Sequence, residues 1–174
     1  SDIAVFGVAP GAAVSHGDVF RPGPQGLSYL FSDKPASVDN RHAVNFKALE
    51  IAQKVVWLGA VTSEKFIPQR LGFEQIGAVS FSKGCYPGQE IVARARYLGK
   101  VKRTPLVIRI EEPLPLPPGG RVELQRGDSW SKGTVIDSVA DSAGALCFII
   151  APTEPAIGPD AVKIQEGVYR CATI

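Results

Sequence analysis

None of the 174 residues is methionine, so the chain does not display a translation start. The expected origin is a processed product or a stretch cut from something longer. Cysteine is scarce and odd in number: Cys85, Cys147 and Cys171 are widely spaced, with no CxxC pair, which argues against a disulfide framework and for a reducing compartment. The two histidines, His16 and His42, stand far from any cysteine, so a closed structural zinc site has no support, and no residue is assigned to a metal. Both read as surface or turn residues. Charge of one sign is also lacking, because a formal net charge of +2 does not by itself call for a nucleic-acid or membrane partner. Long apolar runs are missing too. The best, Ala145 to Ala151, is of strand length and far short of a membrane helix. What is present, 45% hydrophobic and 21% charged residues, is the mix of an ordinary soluble globular protein with room for one large or two small domains.

Two breaks organise the chain. Residues 10–36 are rich in Gly, Pro and Ser and favour turns around short strands, with strands expected near Ile3–Val8 and Leu27–Phe31. The run EEPLPLPPGG at 111–120 holds four prolines and is expected to be extended and solvent-facing. Between the breaks lie two helix candidates. The first, capped by Ser37 or Asp39, runs through HAVNFKALEIAQ with Val44, Leu49 and Ile51 as its apolar face. The second has Pro87 in its first turn and Glu90 near its positive end, continues through IVARARYL and stops at Gly99. From Val101 the period becomes two. Six strand-like runs (VKRTPLVIRI, RVELQ, GTVIDSVA, ALCFIIA, AVKIQ and VYRCATI), separated by glycine-bearing turns, predict a small antiparallel barrel or sandwich. The predicted class is α+β: an incomplete α+β domain over 1–100, then a six-stranded antiparallel β-barrel-like domain over 101–174.

The informative stretch is FSKGCYPGQEIVARARYLGKVKR, 81–103. Cys85 lies just before a predicted helix and two residues after Lys83. A helix N-terminus and an ammonium both favour thiolate over thiol. Such a thiolate can attack an electrophile, exchange disulfides or lend a ligand to a metal cluster. The competing reading is a buried cysteine at a tight turn, acting as a small hydrophobe. Gly84 and Gly88 allow a sharp turn or a close backbone approach. Tyr86 can stack on a planar ligand or simply pack; Gln89 and Glu90 can bind a polar ligand or start a helix. Arg94, Arg96, Lys100, Lys102 and Arg103 have only neutral residues between them. They can meet phosphates or a carboxylate-bearing ligand, although a solvated face is the commoner meaning of such a run. Cys147, inside ALCFII, reads as buried and inert, and Cys171 in the last strand run reads the same way.

The run Lys83-Gly84-Cys85-Tyr86-x-Gly88-Gln89-Glu90 resembles the signature of the YgfZ-like family, which is related to the aminomethyltransferase (T-protein) of the glycine cleavage system. FIPQ at 66–69, ALEIA at 48–52 and GDSWSKGTV at 127–135 extend the resemblance. It implies a folate-binding accessory factor that assembles or repairs iron–sulfur clusters in client enzymes, including radical enzymes that modify tRNA. Tetrahydrofolate is its ligand, Cys85 and Lys83 are its working residues, and Tyr86, Gly88, Gln89, Glu90, Arg94 and Arg96 are its binding residues. The implied location is cytoplasmic, or mitochondrial or plastid in a eukaryote. Iron–sulfur clients and folate are the expected partners, a membrane and nucleic acid are not, and an incomplete domain is expected to self-associate. Two features bear on folate. Ala52-Gln53-Lys54 stands where the family commonly carries an acidic-Ala-Gly tripeptide, whose carboxylate would suit the N–H groups of a pterin. The family's further N-terminal region, with part of the folate cavity, is not in the sequence. This chain alone is therefore expected to bind tetrahydrofolate weakly or not at all. The rival readings are a tetrahydrofolate-dependent aminomethyltransferase and an RNA-binding module. The resemblance tilts away from an enzyme.

Overall fold

The computed structural model describes residues 4–8, 19–22, 27–32, 40–99, 101–114, 116–154 and 158–174. Ser37, Asp39 and His16 lie outside them. Three short strands, β1 (Ala4–Val8), β2 (Val19–Pro22) and β3 (Ser28–Ser32), form an antiparallel sheet in the order β1-β3-β2. Helix α1 (Asn40–Ala52) follows, then a 3-10 turn (Pro68–Leu71), α2 (Gln89–Tyr97) and six further strands. These are β4 (Arg103–Ile110), β5 (Arg121–Arg126), β6 (Ser129–Asp141), β7 (Gly144–Pro152), β8 (Ala161–Ile164) and β9 (Gly167–Thr173). They close into an all-antiparallel barrel in the order β4-β7-β6-β5-β8-β9, sealed by β4 pairing with β9. The protein is α+β with a closed six-stranded barrel, as the period-two runs predict.

The strand period decides where the core sits. In β7, Ala145, Cys147, Ile149 and Ala151 point into the barrel, where they meet Ile108, Ile110, Val122, Leu124, Val135 and Val162. The alternate residues Leu146, Phe148 and Ile150 point outward and are buried as well, against Ile51, Val56, Leu71, Val107 and Ile136. A strand buried on both faces reads as a continuous apolar run. That is why ALCFIIA lacks alternation. The outer layer fastens α1 and the 3-10 turn to the barrel wall. A bulge in β6 leaves Ile136 unpaired between Val135 and Asp137, so that both Val135 and Ile136 are buried, on opposite layers.

Three local expectations are corrected. Leu49 is exposed, and α1 turns Ile51, with half-buried Ala48 and Phe46, toward its neighbours. The proline-rich run is not wholly solvent-facing: Leu116 is buried in the barrel core, and its carbonyl accepts from the Ser138 hydroxyl at 2.6 Å. Proline spacing marks the backbone as extended but does not say which residue plugs a barrel end. Helix α2 begins at Gln89, not at Pro87, because Pro87 and Gly88 are the middle of a turn.

A buried polar cluster joins the small sheet, α1 and the barrel. Glu50 accepts from the Tyr29 hydroxyl at 2.9 Å and from the Trp57 indole N–H at 2.7 Å. Lys47 lies 3.7 Å from the other Glu50 oxygen and 2.5 Å from Asp137 on β6. Burial, and then the Glu50 carboxylate, push the Tyr29 phenol well above its ordinary range.

Candidate functional site

The KGCYPGQE run crosses an exposed loop and enters α2. Tyr86-Pro87-Gly88-Gln89 forms a turn in which the Gln89 N–H donates to the Tyr86 carbonyl at 3.1 Å. Gly88 at φ 82°, ψ −1° with proline before it fits a type II turn, which needs a residue free of Cβ strain at that position. The Gln89 carboxamide oxygen accepts from the Tyr86 N–H at 3.4 Å, so the turn is held from both sides. Gly88 also serves as N-cap, its carbonyl accepting from Val92 N–H at 3.4 Å.

The support beneath α2 comes from 66–77. Val92 is the one buried side chain among the residues of α2, and its carbonyl accepts from the Gln69 carboxamide at 2.6 Å. Gln69 is buried and its own oxygen has no partner among the described residues. Leu71, two residues on, sits in the layer against the barrel. Arg96 is ion-paired with Glu74, and its guanidinium carbon lies 4.2 Å from the centroid of the Phe81 ring. Phe81 meets Tyr97 edge-on at 6.2 Å. The ends of the cysteine loop are thus tied to α2, and the middle is left open.

Of the three cysteines, Cys85 alone is exposed. Cys147 and Cys171 are buried in the barrel. Burial, with a smaller effect of neighbouring Cys171, pushes the Cys147 thiol up to about 12. Burial and then Asp160 push Cys171 up to about 11. The tight-turn alternative for Cys85 required burial, and the structure does not provide it. Lys83 is exposed, with its ammonium 4.8 Å from the centroid of the Tyr86 ring. Tyr86 is half-buried, and its hydroxyl is enclosed without a partner among the described residues. Gly88 and Gln89 are used in the turn. Glu90 and Arg94 are exposed on α2, and Arg96 is engaged with Glu74. The structure therefore gathers Lys83, Cys85, Tyr86, Gly88 and Gln89 at one turn, with Arg94 and Arg96 further along the helix.

Glu74 and Gln69 were not singled out by residue type or spacing. Glu74 is 22 positions from Arg96 in sequence, and only the fold brings the two together. Gln69 is the last residue of FIPQ, and the resemblance of that tetrapeptide was its one signal.

The tripeptide at 52–54 tests the fit of a pterin. Ala52 is exposed and carries no carboxylate, and both oxygens of Glu50, two residues earlier, are engaged by Tyr29, Trp57 and Lys47. The residues at this position do not fit a pterin's N–H groups. Lys54 nevertheless keeps the backbone suited to glycine, with φ 60°. Its N–H donates to Ile51 and that of Val55 to Glu50, which closes α1 with a Schellman motif. No group of three or more His, Cys, Asp or Glu among the described residues is placed to hold a metal. No helix among them is long and apolar enough to cross a membrane.

The sequence is similar to those of known proteins. A Colwellia psychrerythraea protein named tRNA-modifying protein YgfZ is 43% identical over 103 residues, 59% of this chain and 32% of its own length. Proteins of the same name from Cronobacter sakazakii and Edwardsiella ictaluri are 38% identical over 100 residues and 33% identical over 131. These matches cover 57% and 73% of this chain, and 30% and 39% of the relatives. The chain is YgfZ-like. It spans about a third of the length of the curated relatives it matches. No family model matches it.

Proposed function

We propose that this YgfZ-like chain works within a folate-linked accessory factor that supports assembly or repair of iron–sulfur clusters in client enzymes, among them enzymes that modify tRNA. The tRNA link rests on the name its relatives carry. The observation that carries the role of Cys85 is its exposure on a loop pinned at both ends, while the other two thiols are buried and raised. An accessible thiol beside a hydrogen-bonded turn can exchange with a client's disulfide or lend its thiolate as a ligand to a cluster in transit. Tyr86 and Gln89 shape that turn, and Gln69 and Glu74 hold the helix behind it. Tetrahydrofolate belongs, on this reading, to the longer protein, since position 52 offers no carboxylate.

The test uses extracts of cells lacking the full-length factor. Wild-type protein restores the activity of the client iron–sulfur enzyme; Cys85→Ser does not, and Cys147→Ser does while it remains folded. Full restoration by Cys85→Ser overturns the assignment. Turnover of an aminomethylated carrier protein with tetrahydrofolate would instead make the protein an aminomethyltransferase.

A further inference from the structure

We infer that the C-terminal half of α2, together with Arg70 and Lys102, is a contact surface for the phosphodiester backbone of an RNA. This rests on the tRNA-linked reading above and gives it a location. The charge is segregated: residues 94–103 hold five cations and no acid, and since the whole chain carries +2, the rest carries −3. Folding then sorts these cations by what they touch. Arg96 is spent on Glu74, and Arg103 donates to the carbonyls of Lys132 at 2.5 Å and Ile150 at 3.4 Å. The side chain of Lys100 lies outside the described residues. Arg94 and Lys102 remain exposed and, among the described residues, without a carboxylate partner.

Among the described residues, the fold adds a third cation without a carboxylate partner, one that the linear run does not contain. Arg70, on the 3-10 turn, lines a hollow of about 270 Å³ with Lys102, Ala95 and Gly99. Arg94 lines an adjoining hollow of about 590 Å³ with Ile91, Leu98, Ala95 and Gly99. The two share Ala95 and Gly99, so the three cations surround one end of α2. A Cβ at Gly99 would stand 2.9 Å from the Ala95 carbonyl oxygen, so the close of α2 favours glycine there. Tyr97, on the same end of α2, is 68% exposed, with Phe81 edge-on at 6.2 Å and the Arg96 guanidinium carbon 5.6 Å from its ring centroid. Unpaired cations beside a solvent-exposed aromatic are what a strand's phosphates and bases require. A small net charge does not speak against such a surface, because it averages over a segregated distribution.

The test is fluorescence anisotropy of an unmodified tRNA transcript titrated with the 174-residue chain between 50 and 200 mM KCl. Three phosphate contacts predict a log–log salt slope of about −2.1 to −2.7, a loss of roughly 20–40-fold in affinity over that range. Arg70→Gln, Arg94→Gln and Lys102→Gln should each flatten the slope by about 0.7–0.9, while Lys163→Gln on the barrel should leave it unchanged. The assignment is overturned by three results: no binding at 50 mM salt, single variants that all bind with the wild-type slope, or polyglutamate competing as well as poly(U), which would mark an acidic protein partner. Cys85→Ser should bind RNA like the wild type. Loss of the surface and loss of the thiol's role are therefore read out separately.

Discussion

Replacing Glu50 by alanine tests whether the buried polar cluster locks the small sheet and α1 to the barrel. Glu50 is 5% exposed and accepts from Tyr29 and Trp57. Trp57 is 55% exposed, so its N–H can turn to water, but the Tyr29 hydroxyl cannot follow, because Tyr29 is 9% exposed. Lys47 keeps its partner Asp137. The dominant loss is one charge-assisted hydrogen bond and one stranded buried donor, a cost of about 2–4 kcal/mol. Tyr29→Phe in the Glu50→Ala background removes the stranded hydroxyl. The two changes together should then cost less than the separate costs combined, by about 1 kcal/mol or more. Urea denaturation of wild type, both single variants and the double variant supplies the four free energies. A Glu50→Ala cost below about 0.5 kcal/mol, within the range of a surface change, or strict additivity, refutes the cluster as described.

Lys54→Gly should stabilise the chain. Relief of the left-handed backbone at φ 60° gains roughly 1–2 kcal/mol, offset by roughly 0.4–1 kcal/mol of unfolded-chain entropy, and a fall in the urea midpoint would contradict it. Cys147→Ser places a hydroxyl at a fully buried barrel position and should cost about 1–3 kcal/mol, whereas Cys85→Ser at an exposed position should stay within about 0.5 kcal/mol; melting curves compare them. Stability should fall with rising pH above the ordinary thiol value of 9.0, because the buried Cys147 and Cys171 hold their protons to about 12 and 11 in the folded state and lose them earlier when unfolded. Tyr29, raised by burial and Glu50, adds to the same slope at higher pH, and Cys147→Ala should flatten part of it in denaturation curves measured from pH 8 to 11.

Much of the barrel is legible because period-two runs and glycine turns are local signals. The Gly127-Asp128 turn between β5 and β6 sits where the sequence placed it, with Gly127 at φ 58°. What escaped depends on distant chain. Leu49 fits the apolar stripe of α1 as well as Ile51 does, and only the position of the barrel wall decides between them. β2 is four residues ending in Pro22, too short to announce itself, and it exists by pairing with β3. At the site, the turn and the helix were readable from Pro87, Gly88 and the run that follows. The clamp that holds them was not. Glu74 and Gln69 reach α2 across more than twenty residues, and residue type gives no hint of either partner. The exposure of Cys85 likewise follows from the pinned loop ends and not from its neighbours in sequence.

The most direct measurement is the level of tRNA modification in cells that lack the full-length factor and are supplied with its Cys85→Ser form. The account predicts that modification stays at the level of the deletion, although the variant accumulates and melts within a few degrees of wild type, as a cost under about 0.5 kcal/mol implies. Wild-type levels of modification from that variant would contradict it.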